Sequence, residues 1–121
     1  MISLLLDRYG WKVDLLYVST KNDANDAIRL LRNNGCDGED LVGATEHICG
    51  EKPNVGLTHT NTMDRKSVVV ICRATSYGER INTTTHELFH VVAHVCGFHG
   101  ISMMSEEPCY LMGWLCQQTL D

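Results

Sequence analysis

The residues of this sequence best suited to chemistry form the run His86-Glu87-Leu88-Phe89-His90. Residues four apart on a helix share one face, so His86 and His90 can direct imidazole nitrogens at one zinc ion about 2.0–2.1 Å away. Glu87 lies about 100° further round the helix, where it flanks the metal and can take a proton from zinc-activated water. The run therefore predicts a zinc centre for hydrolysis, with Glu87 as the general base.

Catalytic zinc usually has three protein ligands, and the candidates for the third are His94, His99, Glu106 and Glu107. His94 continues the stripe of the motif histidines by one turn. Three such residues span about 12 Å, so we interpret His94 as a supporting side chain. His99 lies beyond the predicted end of the helix. Glu106 and Glu107 open the next helix, which an antiparallel hairpin would bring beside the motif helix. Both glutamates stay open at this point, since acids at a helix start also complement its dipole.

The motif lies in a helix that apolar spacing predicts over residues 76–96. Ser76 followed by Glu79 three residues later fits a capping box at its start. Gly97 and Gly100 are predicted to end it. The motif is therefore expected on a regular helix, where the spacing of its histidines has a geometric meaning.

Three strands and two further helices are predicted around the motif helix. The strands cover 11–18, 55–61 and 66–72, and the helices run from a cap at Asn22 or Asp23 to Leu31 and from a cap at Ser105 to Gln118. Residues 62–65 form the turn of a hairpin. Residues 68–71 are continuously apolar, which predicts a strand covered on both faces. We interpret residues 1–9 as a short helix or irregular lead-in, and 36–54 as a long loop with at most a short element.

The predicted fold class is α+β, with residues 1–121 as a single domain. A small sheet packs on the motif helix, which is followed by a glutamate-bearing C-terminal helix. A chain of 121 residues supports one core of this kind.

The net charge is −5 and no run of Lys or Arg occurs, so we expect no nucleic-acid partner. No apolar stretch approaches the roughly 20 residues of a membrane span, and no basic leader is present, so we expect no membrane contact and a cytoplasmic location. The sequence does not set the oligomeric state.

Six cysteines stand out in a chain of this length. None are spaced as Cys-x-x-Cys, which disfavours a zinc knuckle. Cys72, Cys96, Cys109 and Cys116 lie among apolar residues, so we predict buried thiols rather than disulfides or metal ligands.

The run from His86 to His90, a gap, and then Glu106 through Cys109 to Tyr110 resembles the gluzincins, a class of zinc metallopeptidases. The resemblance implies zinc as cofactor, a peptide or protein as substrate, and a glutamate on the following helix as third ligand. In that class a small residue three positions after the glutamate lets the helices pack closely. Cys109 is that residue if Glu106 is the ligand, whereas Glu107 would place the bulky Tyr110 there. The resemblance thus favours Glu106 over Glu107.

Residues 54–118 also resemble small proteins of phages and mobile elements of gut bacteria, over a run that includes Thr58. The resemblance implies a minimal zincin core, in which the strand over 55–61 is a candidate edge for binding a substrate backbone. His59 and Tyr110 are candidate donors to a developing oxyanion. Thr58 and His94 are candidate supporting or substrate-binding residues.

The chain has no room for the large substrate-binding lobes of full-sized peptidases. Two functions therefore stay open at this point. One is a zinc metallopeptidase with a shallow substrate groove. The alternative is a non-catalytic binding protein, such as a phage or mobile-element effector, on a zincin-like scaffold.

Overall fold

The structure, a computed structural model, describes residues 1–120. This part of the chain forms four strands and four α-helices. They are β1 (Ile2–Leu6), β2 (Trp11–Tyr17), α1 (Lys21–Asn33), α2 (Gly38–Cys49), β3 (Gly56–Asn61), β4 (Lys66–Ile71), α3 (Tyr77–His99) and α4 (Glu107–Thr119). A single 3-10 turn at Asp7–Tyr9 joins β1 to β2. The α+β class is confirmed.

The four strands form one mixed sheet in the order β1-β2-β4-β3. The outer pairs β1–β2 and β3–β4 are antiparallel, whereas β2 and β4 run parallel in the centre. The predicted hairpin is the β3–β4 pair, with Gly56 opposite Ile71. β3 therefore lies at an edge of the sheet, and β4 is buried on both faces as its apolar run predicted.

Helices cover both faces of this sheet because successive strand residues point to opposite sides. On one face, Leu15 and Val69 join the core formed with α3 and α4. On the other face, Leu16 and Val70 join the core formed with α1 and α2. The motif helix and its successor thus share one side of the sheet, and the first two helices share the other.

Two predictions for the N-terminal half are wrong. Residues 2–6 form strand β1, not a helix or an irregular lead-in, because they pair with β2 in register from Ile2 to Leu6. The segment 36–54 contains the 12-residue helix α2 rather than a long loop. Leu41, Ala44 and Ile48 pack on the core at helical spacing, and this signal outweighs the glycines around them.

The cap of the first helix lies two to three residues earlier than predicted. Thr20 is the N-cap, not Asn22 or Asp23. Its Oγ1 accepts a hydrogen bond from the Asp23 amide at 3.1 Å, while the Asp23 carboxylate accepts one from the Thr20 amide. These bonds make a complete capping box.

The caps of the motif helix follow the sequence more closely. Ser76 Oγ accepts a hydrogen bond from the Glu79 amide at 3.1 Å, as the predicted N-cap. Gly97 lies inside the helix. The helix ends only at Gly100, which adopts φ 68° in the left-handed region that favours glycine. The next helix begins after Glu106, so Ser105 is not its N-cap.

All six cysteines are free thiols. Cys72 and Cys96 are buried as predicted, and burial raises the pKa of both thiols. Cys116 is half-buried, whereas Cys109 is exposed. Cys109 therefore does not mediate close packing of α4 on α3, and its predicted role is wrong. The buried residues of α4 are Pro108, Leu111, Leu115 and Thr119.

Helix α3 is 23 residues long. Neither it nor any other helix within residues 1–120 combines the length and apolar character that crossing a bilayer requires.

Candidate functional site

The two motif histidines stand on one exposed face in the middle of α3. Their ring centroids are 5.1 Å apart. The side chain of His86 keeps 67% of its surface exposed. The rings are therefore adjacent, open to solvent and on one face of the helix, as the i, i+4 spacing predicted.

Glu87 is held differently from the histidines that flank it. It is only 6% exposed and faces β3. Its Oε1 accepts a hydrogen bond from Thr58 Oγ1 at 2.9 Å, and its Oε2 lies 4.0 Å from His86 Nε2. Within residues 1–120, Oε2 accepts no hydrogen bond. One carboxylate oxygen is thus anchored by Thr58, and the other lies beside His86.

The close approach of β3 to α3 depends on Gly56. A Cβ added there would lie 2.9 Å from the Val70 carbonyl oxygen and 3.0 Å from both Glu87 Cγ and Thr83 Cγ2. Val70 belongs to the partner strand, so no flexible side chain can relieve that contact. Because Gly56 has no side chain, the edge strand can lie directly against the Cγ atom of Glu87.

His94 is fixed by a chain of polar contacts that crosses the sheet. Its Nδ1 lies 2.7 Å from Thr60 Oγ1, which is 2.8 Å from Ser67 Oγ. The buried Trp11 indole donates to the same Ser67 oxygen at 3.0 Å. Desolvation lowers the pKa of His94, and the nearby His90 lowers it further. The ring of His94 lies 6.2 Å from that of His90, and the supporting role of His94 stays a prediction.

Two hollows flank the motif histidines. The strand-side hollow has a volume of about 250 Å³, and the helix-side hollow about 400 Å³. The strand-side hollow is lined by His47, Asn54, Gly56, Asn82, Thr83, His86 and Glu87, with Val55. The helix-side hollow is lined by Asn82, Thr85, His86, Phe89, His90 and Met112. His86 contributes to both, so the face that carries the motif sits between two openings.

The sequence reasoning missed His47. It lies in the last turn of α2, and its Nε2 is 3.0 Å from the Gly56 carbonyl oxygen. This contact brings an imidazole into the same hollow as His86 and Glu87. The apolar spacing of Leu41, Ala44 and Ile48, with Asp37 at the N-cap and two acids in the first turn, was the sequence signal for the helix that places it there.

The structure does not bring Glu106 to the motif histidines. Glu106 is exposed and precedes α4, after α3 has ended at His99, and His99 lies about 13 Å of helix rise beyond His90. Since α4 runs back along α3, the residue that lies beside His86 and His90 is Met112. Across residues 1–120, no three His, Cys, Asp or Glu side chains form a group that could hold a metal. The residues present thus fit two zinc ligands and the base, but not the third ligand.

Glu107 has a structural partner of its own. Its Oε1 lies 2.7 Å from Arg8 Nη2, which ties the start of α4 to the turn after β1. The Arg8 side chain is 76% exposed, so this pair contributes at most about 1 kcal/mol.

The two predicted oxyanion donors are not at the motif. His59 follows Thr58 on β3 and therefore points to the opposite face, where its Nδ1 lies 3.2 Å from Asn34 Nδ2. Tyr110 is 73% exposed on α4 and lines neither hollow. The oxyanion roles predicted for His59 and Tyr110 are wrong. Thr58, by contrast, contacts the motif through Glu87.

Comparison with known proteins found no matching family model, no matching curated protein and no matching solved structure.

Proposed function

We propose that this chain is a zinc-dependent metallopeptidase in which His86 and His90 hold the metal and Glu87 is the general base. The observation that carries the proposal is the arrangement of Glu87. Its carboxylate is buried and anchored by Thr58 through one oxygen, while the other oxygen faces the open side of the two histidines.

Each group in the proposal has a separate task. A bound zinc ion supplies a Lewis acid that acidifies water and polarises a carbonyl. Glu87 takes the proton from the attacking water through Oε2 and passes it to the leaving amine. Thr58 fixes the other carboxylate oxygen, so the base keeps its direction through the reaction. The gluzincin resemblance implies Glu106 as the third ligand, but Glu106 lines neither hollow beside the histidines, and His47 is a second candidate donor toward the strand-side hollow.

The proposed substrate is an extended peptide lying along β3. This strand is at the sheet edge, and it passes within hydrogen-bond distance of Glu87. An extended peptide can add to such an edge through main-chain hydrogen bonds. The hollows of about 250 and 400 Å³ on either side of the histidines are large enough for one side chain each.

The test is metal analysis of the purified protein together with cleavage of a peptide library read by mass spectrometry. We expect one zinc per chain, cleavage that a chelator abolishes and zinc restores, and loss of cleavage in Glu87→Gln with the zinc retained. Glu79→Gln, in the first turn of the same helix and outside both hollows, is the matched control and should cleave normally. A protein that binds no zinc, or a Glu87→Gln variant that cleaves like the parent, would contradict the proposal.

A non-catalytic binding protein is the second candidate function. The observation that favours it is that α4 places Met112, not a carboxylate, beside the motif histidines. Partner capture that survives both Glu87→Gln and chelation, without any cleavage of the partner, would support this function instead.

A further inference from the structure

The centre of the sheet contains a topological switch point, where two parallel neighbouring strands lead to helices on opposite faces. This point lies away from the motif. β2 and β4 are parallel neighbours from Lys12 opposite Lys66 to Tyr17 opposite Ile71. The chain leaves β2 for α1 on one face and leaves β4 for α3 on the other. In open sheets, the crevice at the carboxyl ends of two such strands is where ligands bind.

A hollow of about 600 Å³ lies at this crevice, and we name it the switch-point hollow. It extends from Val18 and Cys72, at the ends of the two strands, to the segment 48–53 after α2. Its volume falls in the range of small-molecule sites, about 300–1,000 Å³. None of its lining residues belongs to the motif or to the two hollows beside the histidines.

The switch-point hollow is lined mainly by positive charges, although the protein as a whole is negatively charged. Lys21, Lys52 and Arg73 all line it, against the single acid Glu51. In the part of the chain that the structure describes, none of these three cations has a carboxylate within salt-bridge distance. The whole chain carries a net charge of −5, so three unpaired cations around one concavity form a local site for an anion.

The cationic side chains, rather than the amides of Ser19 and Thr20, supply this charge. The amides of Ser19 and Thr20 already donate to the Asp23 carboxylate, each at 3.1 Å. They are therefore not free to bind an anion. Arg73 can form paired hydrogen bonds with a phosphate, and the lysines add point charges beside it.

Part of the remaining wall of the hollow is apolar and is formed by Val18, Ala24, Ile48 and Pro53. We propose that the switch-point hollow binds a small phosphate monoester, with the phosphate at Lys21, Lys52 and Arg73 and the organic part against this apolar wall. The two kinds of surface together select an ester over free phosphate, because inorganic phosphate leaves the apolar wall uncovered. The proposal does not rest on the peptidase function.

Calorimetric titration of the full chain tests the proposal with AMP, glucose 6-phosphate, inorganic phosphate and adenosine as probes. We expect at least one ester to bind with a micromolar to millimolar Kd, to bind more tightly than inorganic phosphate, and to weaken as salt rises. Adenosine, which lacks the charge, should bind at least about tenfold more weakly than AMP if AMP is the better ester. Whichever ester binds more tightly shows whether the wall takes a base or a sugar.

Arg73→Ala and, separately, Lys52→Ala should each weaken ester binding about tenfold. Lys52 lies in the connection between α2 and β3, so its variant tests the site without touching a helix or strand. Arg29→Ala is the matched control, because Arg29 is exposed on α1, pairs with Asp26 and lies outside the hollow. Circular dichroism checks that each variant is folded.

Three results would overturn the proposal. The first is that neither ester binds at about 10 mM. The second is that inorganic phosphate binds as tightly as both esters. The third is that ester affinity is unchanged in both Arg73→Ala and Lys52→Ala.

Discussion

Thr58 Oγ1 donates a hydrogen bond of 2.9 Å to Glu87 Oε1, which joins the edge strand β3 to the motif helix α3. The two residues are 29 positions apart in the chain. This contact sets the direction of the carboxylate, because only one of its oxygens is left to face the histidines. It also makes the proposed general base depend on a residue outside the motif.

We expect Thr58→Val to lower kcat for peptide cleavage about tenfold, because Glu87 loses a hydrogen bond to its charged carboxylate. The zinc content should stay the same, because Thr58 is not a proposed metal ligand. Steady-state kinetics with metal analysis checks this. Thr62→Val, in the exposed turn after β3, is the control. An unchanged kcat in Thr58→Val would show that this hydrogen bond does not position the base.

Glu106 and Glu107 are adjacent, and one substitution at each separates their roles. If Glu106 is the third ligand, Glu106→Gln should lower zinc affinity at least about tenfold, because a charged ligand is lost. Glu107→Gln should keep the zinc and lose only the exposed ion pair with Arg8, at a cost of at most about 1 kcal/mol. Zinc titration with a competing chelator measures both. Equal zinc affinity in Glu106→Gln and the parent would remove Glu106 from the ligand set.

Gly56→Ala should destabilise the fold by about 1–3 kcal/mol. The added Cβ meets the Val70 carbonyl oxygen at 2.9 Å and Glu87 Cγ at 3.0 Å, so the strand must shift away from α3. Urea unfolding measures the change.

The matched control for Gly56→Ala is Gly97→Ala. Gly97 lies within α3, and a Cβ there meets nothing within 4 Å. That substitution should stabilise the protein by about 0.5–1 kcal/mol, since alanine favours the helix. If both variants destabilise equally, the close approach at Gly56 is not the cause.

His94 should make the metal-free protein less stable in mild acid. Desolvation and the nearby His90 hold its pKa below the ordinary value in the folded chain. As pH falls below the ordinary pKa of histidine, the unfolded chain takes up a proton that the folded chain does not, so stability decreases until the lower folded pKa is passed.

Histidine titration by NMR, together with urea unfolding across this pH range, tests the effect. His94→Gln should flatten the decrease, because the ring that titrates is gone. A His94 pKa at or above the ordinary value would refute the prediction.

The sequence by itself determined the local features of this protein. The i, i+4 spacing of His86 and His90 sets their shared face, because helix geometry repeats every 3.6 residues. The Ser76 cap and the buried strand β4 follow from equally local patterns of hydrogen-bonding and apolar residues. These features were predicted because each depends on residues close together in the chain.

Only the tertiary structure decided which distant residues meet the motif. In the structure, Thr58 contacts Glu87, and His47 lies in the same hollow as His86. His59 points to the other face of the sheet. On α4, Met112 rather than Glu106 lies next to the motif histidines. Such contacts depend on strand register and on how far one helix slides along another. A shift of one residue reverses a strand side chain and moves a helical one by about 1.5 Å, and no short sequence pattern records either choice.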